Sequence, residues 1–183
     1  MDKENVNIGI IGLGFMAVMH IRAYRQVKGA NIAAICNPSG NRLNGDFCDV
    51  FGNLDSGDPV KLDMSQVKAF QSFQELLNDK SIDVIDICSP THTHVQLAKA
   101  ALASGKHVIC EKPLARTLED AMEIVSAAKN AKGKFMTAMC LRFWPQWSWL
   151  KKAVESNKYG KVLSLIHISE PTRRYAISYA VFC

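Results

Sequence analysis

Val6-Asn7-Ile8-Gly9-Ile10-Ile11, running without a break into Gly12-Leu13-Gly14-Phe15-Met16-Ala17, is the stretch that decides the fold. The first six residues form an apolar run of strand length, and the next six spell G-x-G-x-x-A ahead of a helical pattern that continues through Val27. Gly12 permits a tight turn, Gly14 lets the backbone approach a pyrophosphate, and small Ala17 lets the helix pack closely on the strand. Phe15 and Met16 open the helix, whose free N–H groups and positive dipole end suit phosphate oxygens. A glycine-rich turn without a ligand is the competing reading, and the strand-turn-helix context weighs against it.

Downstream, Asn31 to Cys36 reads as a second strand ending at Asn37-Pro38-Ser39, 25 residues beyond Gly12. An acidic residue is expected near this place to hold the ribose 2′-OH of NAD. Asn37 is neutral: it can bond a hydroxyl but does not repel a 2′-phosphate. Ser39 and Arg42 follow as candidate contacts to such a phosphate, with arginine the natural partner. Arg42 reads equally well as a solvated helix residue, so NAD or NADP both stay open. Asn44 to Met64 is rich in Gly, Asp, Asn and Pro, and reads as an irregular excursion after a short second helix. Lys68 to Gln71 suits a short strand, and Ser72 to Glu75 is a capping box opening a helix with Phe73, Leu76 and Leu77 on its buried side.

Strands and helices alternate through the rest. Ser81 to Cys88 is a parallel-type strand ending at Ser89-Pro90-Thr91-His92-Thr93-His94, followed by a helix that stops at Ser104-Gly105. His92 and His94 are two apart and share no helix face, which argues against a metal; a capping or cofactor-facing role for Ser89, Thr91 and His94 fits better. Gly105-Lys106-His107-Val108-Ile109-Cys110-Glu111-Lys112-Pro113 is a buried strand ending in a carboxylate, an ammonium and a rigid proline. Ligands of an open parallel sheet bind beyond the carboxyl ends of its strands, which sets Glu111 and Lys112 at the ligand's edge. Thr117 to Asp120 caps a helix reaching about Lys132. Phe135 to Cys140 is a further strand with Arg142 at its carboxyl end. The helix after Pro145 carries Trp147, Trp149, Leu150 and Val154, expected to cover an apolar face. The pattern is α/β, a Rossmann-type doubly wound parallel sheet.

The chain has 183 residues, 48% hydrophobic and 21% charged, enough for one complete domain and the start of another. No apolar run reaches the roughly 20 residues of a membrane span, and Met1 to Asn5 lacks the features of a signal peptide, so a cytoplasmic protein is expected, without membrane partners. Six cysteines with no CxxC pair indicate neither disulfides nor zinc. The net charge of +5 is spread without a Lys/Arg block and supports no nucleic-acid partner.

Four features in order carry a resemblance: Gly12-x-Gly14-x-x-Ala17, Ser89-Pro90 with His94, Gly105-Lys106-His107-Val108 leading into Glu111-Lys112-Pro113, and Arg142-Phe143 before Pro145. Together they resemble the Gfo/Idh/MocA oxidoreductases, named for glucose-fructose oxidoreductase, inositol dehydrogenase and a rhizopine-catabolism protein. The resemblance runs from about Val6 to Val162. It implies a Rossmann domain binding NAD or NADP, a following α/β substrate domain with an open antiparallel sheet, a sugar or cyclitol substrate, and a parent that is a homo-oligomer through that sheet. It implies that Lys112 is the catalytic lysine beside the nicotinamide and the reacting hydroxyl. Glu111 then orders that lysine or borders the cofactor ribose, Arg142 lines the cofactor site, and Pro113 is a candidate for a cis bond. A non-catalytic NAD(P)-binding sensor is the alternative.

The tail from Leu163 to Cys183 resembles a translated sequencing-library adapter, with Arg174 to Ala176 where a variable barcode would fall. The organisation expected is therefore 1–140 for the NAD(P)-binding domain, 141–162 for the start of a truncated substrate domain whose first turn and strand fall at Lys158 to Val162, and 163–183 for a non-native tail. Such a fragment is expected to bind nucleotide weakly and to turn nothing over, because the acid/base residue and most of a sugar pocket would lie in the second domain.

Overall fold

The computed structural model describes residues 5–50 and 59–162. Six strands alternate with helices: β1 (Val6–Ile11), α1 (Phe15–Tyr24), β2 (Ala30–Cys36), β3 (Lys68–Phe70), α2 (Phe73–Asn78), β4 (Val84–Ile87), α3 (His94–Ala103), β5 (His107–Cys110), α4 (Leu118–Asn130), β6 (Phe135–Thr137) and α5 (Pro145–Glu155). The strands form one sheet in the order β3-β2-β1-β4-β5-β6, every pair parallel. The order reverses between β1 and β4, and that switch point opens the crevice at the carboxyl ends of the strands.

The strands are apolar on both faces because helices cover both faces, and residues alternate between two cores. Ile8, Ile10 and Ile35 pack with Ala17, Val18 and Ile21 of α1. Ile11, Ala34, Ile85 and Ile87 pack on the other side with Leu76 of α2, Ala98 and Leu102 of α3, and Ile124 of α4. The helix starts follow the sequence: the Ser72 hydroxyl accepts from the Glu75 N–H at 3.4 Å, and Thr117 Oγ1 accepts from the Asp120 N–H at 3.1 Å.

Some expectations are corrected. No helix joins β2 to β3 among the described residues; residues 39–45 form successive turns, as the run of Ser, Gly and Asn there favours. The excursion does the work of a helix in another way, because it sends Phe47 and Val60 into the α1-side core, each 2% exposed. The first helix stops at Tyr24, where turn bonds replace helical ones, and β6 stops at Thr137, short of Cys140.

The chain divides into two compact units, Met1–Met139 and Cys140–Cys183. Within the second, residues 140–143 form a 3-10 turn and are followed by α5. No described residue of this unit is buried. Phe143 and Trp144, just before the helix, are 70% and 53% exposed; on the helix Trp149 is 61% exposed with its ring 6.5 Å from that of Tyr159, and Trp147 is half-buried. A turn closes at Gly160, but no strand follows it through Val162, and the adapter-like tail lies outside the described residues.

Candidate functional site

The crevice is assembled from the turns that leave β1, β4 and β5. Gly12 accepts its position at a cost only glycine can meet: its φ is +86°, and a Cβ there would lie 2.6 Å from the Ser89 backbone. Gly14 is different. Its backbone is extended, and a Cβ there would meet nothing within 4 Å. It is also the N-cap of α1, with no side-chain cap bond and no acidic residue in the first turn. Among the described residues, then, the N–H groups of Phe15 and Met16 meet no cap from the helix's own first turn, and the space beside Gly14 is open. Ala17 is fully buried beneath them, as close packing of helix on strand requires. These residues fit a dinucleotide pyrophosphate.

At the end of β4, Thr93 Oγ1 donates to the Pro90 carbonyl at 2.8 Å, and the Ser89 hydroxyl lies 2.6 Å from Thr93 Oγ1. Thr91 begins a 3-10 turn, and its carbonyl accepts the His94 N–H. His94 is 1% exposed. Its Nε2 faces the Ser89 carbonyl at 2.9 Å, and its Nδ1 faces the Pro113 and Leu114 carbonyls at 3.1 and 3.3 Å. The ring thus ties the β4 turn to the β5 turn, with both of its nitrogens engaged by backbone carbonyls.

At the end of β5 the two charged residues part company. Lys112 is exposed, and among the described residues its ammonium makes no direct hydrogen bond or ion pair, although its charge acts on Glu111; the Lys112–Pro113 peptide is cis, as Pro113 allowed. Glu111 is 5% exposed and turns inward. Its Oε2 accepts from the Lys112 backbone N–H at 2.9 Å and its Oε1 meets His20 Nε2 at 3.1 Å. The carboxylate thus bonds the backbone from which Lys112 projects.

Glu111 belongs to a buried network that the sequence reading missed. His20 Nδ1 lies 2.8 Å from Asp86 Oδ2, the Tyr24 hydroxyl donates to the same oxygen at 2.8 Å, and Cys88 Sγ sits 3.5 Å from His20 Nδ1. With a carboxylate oxygen on each ring nitrogen, both nitrogens donate and His20 is an imidazolium. Burial opposes that charge, but the hydrogen bonds to Asp86, Cys88 and Glu111 and the charge of Asp86 outweigh it, and the pKa is pushed up to about 12. Burial likewise works against the Glu111 anion, yet its bonds from His20 and the Lys112 N–H hold its pKa below the usual value. Burial and the neighbouring Asp86 charge raise the Tyr24 phenol, and burial pushes the Cys88 thiol up to about 12. His20, Asp86 and Cys88 are close enough to hold a metal, but each is already engaged by the others. One signal was available: Asp86 interrupts the apolar run Val84 to Ile87, and a carboxylate inside a strand buried on both faces requires partners.

The β2 end also differs from expectation. Asn37 Nδ2 donates to the Asn41 carbonyl at 2.8 Å, and Ser39 N and Asn41 N bond within the same loop. Arg42 is in a turn, not a helix, and its guanidinium bonds Asp49 and the Leu13 carbonyl. Arg42 is thus not a free phosphate ligand. Arg142 lies on the exposed 3-10 turn of the second unit, where its carbonyl accepts from the Ser148 hydroxyl, and not at a strand end.

A six-stranded parallel sheet in this order, with a glycine turn after its first strand, defines a dinucleotide-binding Rossmann domain. Residues 6–139 match the Gfo/Idh/MocA oxidoreductase family, NAD-binding Rossmann fold, and the chain belongs to that family. It is 32% identical to levoglucosan dehydrogenase from Pseudarthrobacter phenanthrenivorans, covering 88% of this chain and 40% of that protein. It is 31% identical to myo-inositol 2-dehydrogenase from Thermotoga maritima, covering 85% of this chain and 42% of the relative. Among solved structures, an oxidoreductase from Agrobacterium radiobacter in complex with NAD+, L-tartaric acid and magnesium superposes with a TM-score of 0.70 at 29% identity, over 86% of this chain and 42% of that one. The chain spans about two fifths of the length of these relatives. No helix among the described residues is long and apolar enough to cross a membrane.

Proposed function

We propose that this chain is the nucleotide-binding part of an NAD(P)-dependent dehydrogenase that oxidises a hydroxyl of a sugar or cyclitol. The observation that carries the reading is the uncapped start of α1 behind an open Gly14, a place built for phosphate oxygens. Gly12, Gly14, Phe15, Met16 and Ala17 hold the pyrophosphate, while Ser89 and Thr91 shape the neighbouring wall. A nicotinamide dinucleotide held there would supply the hydride acceptor. Lys112, whose ammonium is exposed, would bond the substrate oxygen and stabilise the negative charge that develops on it. Glu111 fixes the backbone from which that lysine projects. The named relatives, dehydrogenases of levoglucosan and myo-inositol, support the substrate class.

The same reading takes residues 1–140 as the nucleotide domain, 141–162 as the start of a substrate domain, and 163–183 as adapter-derived. It also assigns the parent to the cytoplasm as a homo-oligomer without nucleic-acid or membrane partners. Resequencing the source DNA across codon 163 tests the tail: a continuous genomic reading frame encoding it would overturn that part. For the parent with its true continuation, nicotinamide reduction is expected with a member of a sugar and cyclitol panel. Lys112→Ala is expected to lower kcat/KM by about 10²–10⁴-fold. Turnover untouched by that substitution would refute the role of Lys112, and tight nucleotide binding without turnover on any substrate would indicate a sensor.

A further inference from the structure

The end of β2 is where a Rossmann domain meets the adenosine ribose, and the acid that commonly reads the 2′-OH is absent there, with Asn37 in its place. The structure brings a carboxylate to the loop beside it: Asn37 bonds the Asn41 carbonyl, and the next residue, Arg42, carries Asp49. Arg42 stands in the left-handed region at φ 60°, a conformation uncommon and strained for a residue with a side chain. From it the guanidinium reaches the fingerprint turn, where Nη1 donates to the Leu13 carbonyl at 3.2 Å. Nε and Nη2 donate to the two oxygens of Asp49 at 3.0 and 2.7 Å. This is the two-pronged edge that arginine would otherwise offer to a phosphate. Asp46, the next carboxylate along the excursion, is held by Lys61 at 2.8 Å and does not share Arg42. The guanidinium bond holds the Asp49 carboxyl below the usual range, so Asp49 is an anion at neutral pH.

A 2′-phosphate brings nearly two negative charges. At this loop it would find the arginine edge filled and a carboxylate beside it, whereas a 2′-hydroxyl brings no charge to be opposed. We infer that Asp49, seated on Arg42, makes this domain choose NAD over NADP, supplying from the excursion the negative charge that the end of β2 lacks. The inference rests on the nucleotide-binding reading above and adds to it a specificity residue outside the fingerprint.

The test is calorimetric or NMR titration of the full chain with NADH and with NADPH at low and moderate salt. The unaltered protein is expected to bind NADH at least about tenfold more tightly than NADPH. Asp49→Ala and Asp49→Asn free the arginine edge and are expected to raise NADPH affinity about tenfold or more, while NADH affinity moves by less than about threefold. Adding Arg42→Ala to Asp49→Ala should abolish the gain. Equal affinity for the two nucleotides in the unaltered protein, or an Asp49 variant whose NADH to NADPH ratio is unchanged, overturns the inference. Circular dichroism reports whether each variant folds; if neither does, the unaltered ratio decides. If neither nucleotide binds any folded form, the nucleotide-binding reading itself fails and this inference with it. That outcome, loss of both signals, differs from an unchanged ratio.

Discussion

The carboxyl ends of β1 and β5 both open on the crevice, but they are built by opposite means. The β1 end is made of backbone and open space: Gly12 lies against the Ser89 backbone, and a Cβ on Gly14 would meet nothing within 4 Å. The β5 end is made of buried charge, with Glu111, His20 and Asp86 bonded in series and Lys112 alone projecting outward. A turn that must admit a pyrophosphate gains from having no side chains. A turn that must hold one ammonium at a fixed place gains from a rigid ionic support below it.

The largest effect should come from the buried network. His20→Ala leaves Asp86 and Glu111 as buried carboxylates without their shared cation, and is expected to cost about 3–5 kcal/mol in urea unfolding. A loss below about 1 kcal/mol would mean that the β5 end does not depend on it. The penalty should also depend on pH. The folded pKa of His20 lies far above its ordinary 6.5, so its contribution is complete below about pH 6.5 and declines as pH rises toward about 12. Glu111, held below its ordinary 4.5, contributes above that pH and loses its contribution as pH falls through its folded value. The gap between His20→Ala and the unaltered protein should therefore narrow from pH 6 to pH 9, by at most about 1.4 kcal/mol per pH unit. A gap that widens with pH would contradict an imidazolium.

Gly12→Ala should come next, at about 3 kcal/mol, because a Cβ would press on the β4 backbone from a positive-φ position. Gly14→Ala sharpens the contrast: stability should change by less than about 0.5 kcal/mol, yet NADH binding should weaken measurably, since the methyl group enters space that only a ligand would use. Equal unfolding penalties for the two glycine substitutions would erase the distinction between a glycine that serves the fold and one that serves the ligand. Tyr24→Phe removes one donor from Asp86 and is expected to cost about 1 kcal/mol.

The sequence was most informative where local physics decides. The alternation of apolar runs and caps set out the sheet, the fingerprint placed the phosphate end, and the charged pair after β5 marked the other end. It was weaker at the β2 end, where Arg42 could be read as a phosphate ligand or a solvated residue because Asp49 was not recognised as its partner. It was blind to His20, whose ring meets Glu111 91 positions away. The aromatics of α5 show the converse limit: an apolar helix face announces that it needs a cover without saying whether the described chain supplies one.

By itself, then, the sequence determined the doubly wound sheet, the glycine turn and the lysine at the end of β5, because hydrophobic periodicity and backbone freedom act between near neighbours. Only the tertiary structure decided which charges are free to act. Glu111 and His94 turned inward, Arg42 was claimed by Asp49, and Lys112 alone kept an open ammonium among the charged residues expected at the crevice. Ion pairing and burial depend on distances between residues far apart in the chain, and those distances exist only once the sheet has brought its strand ends together.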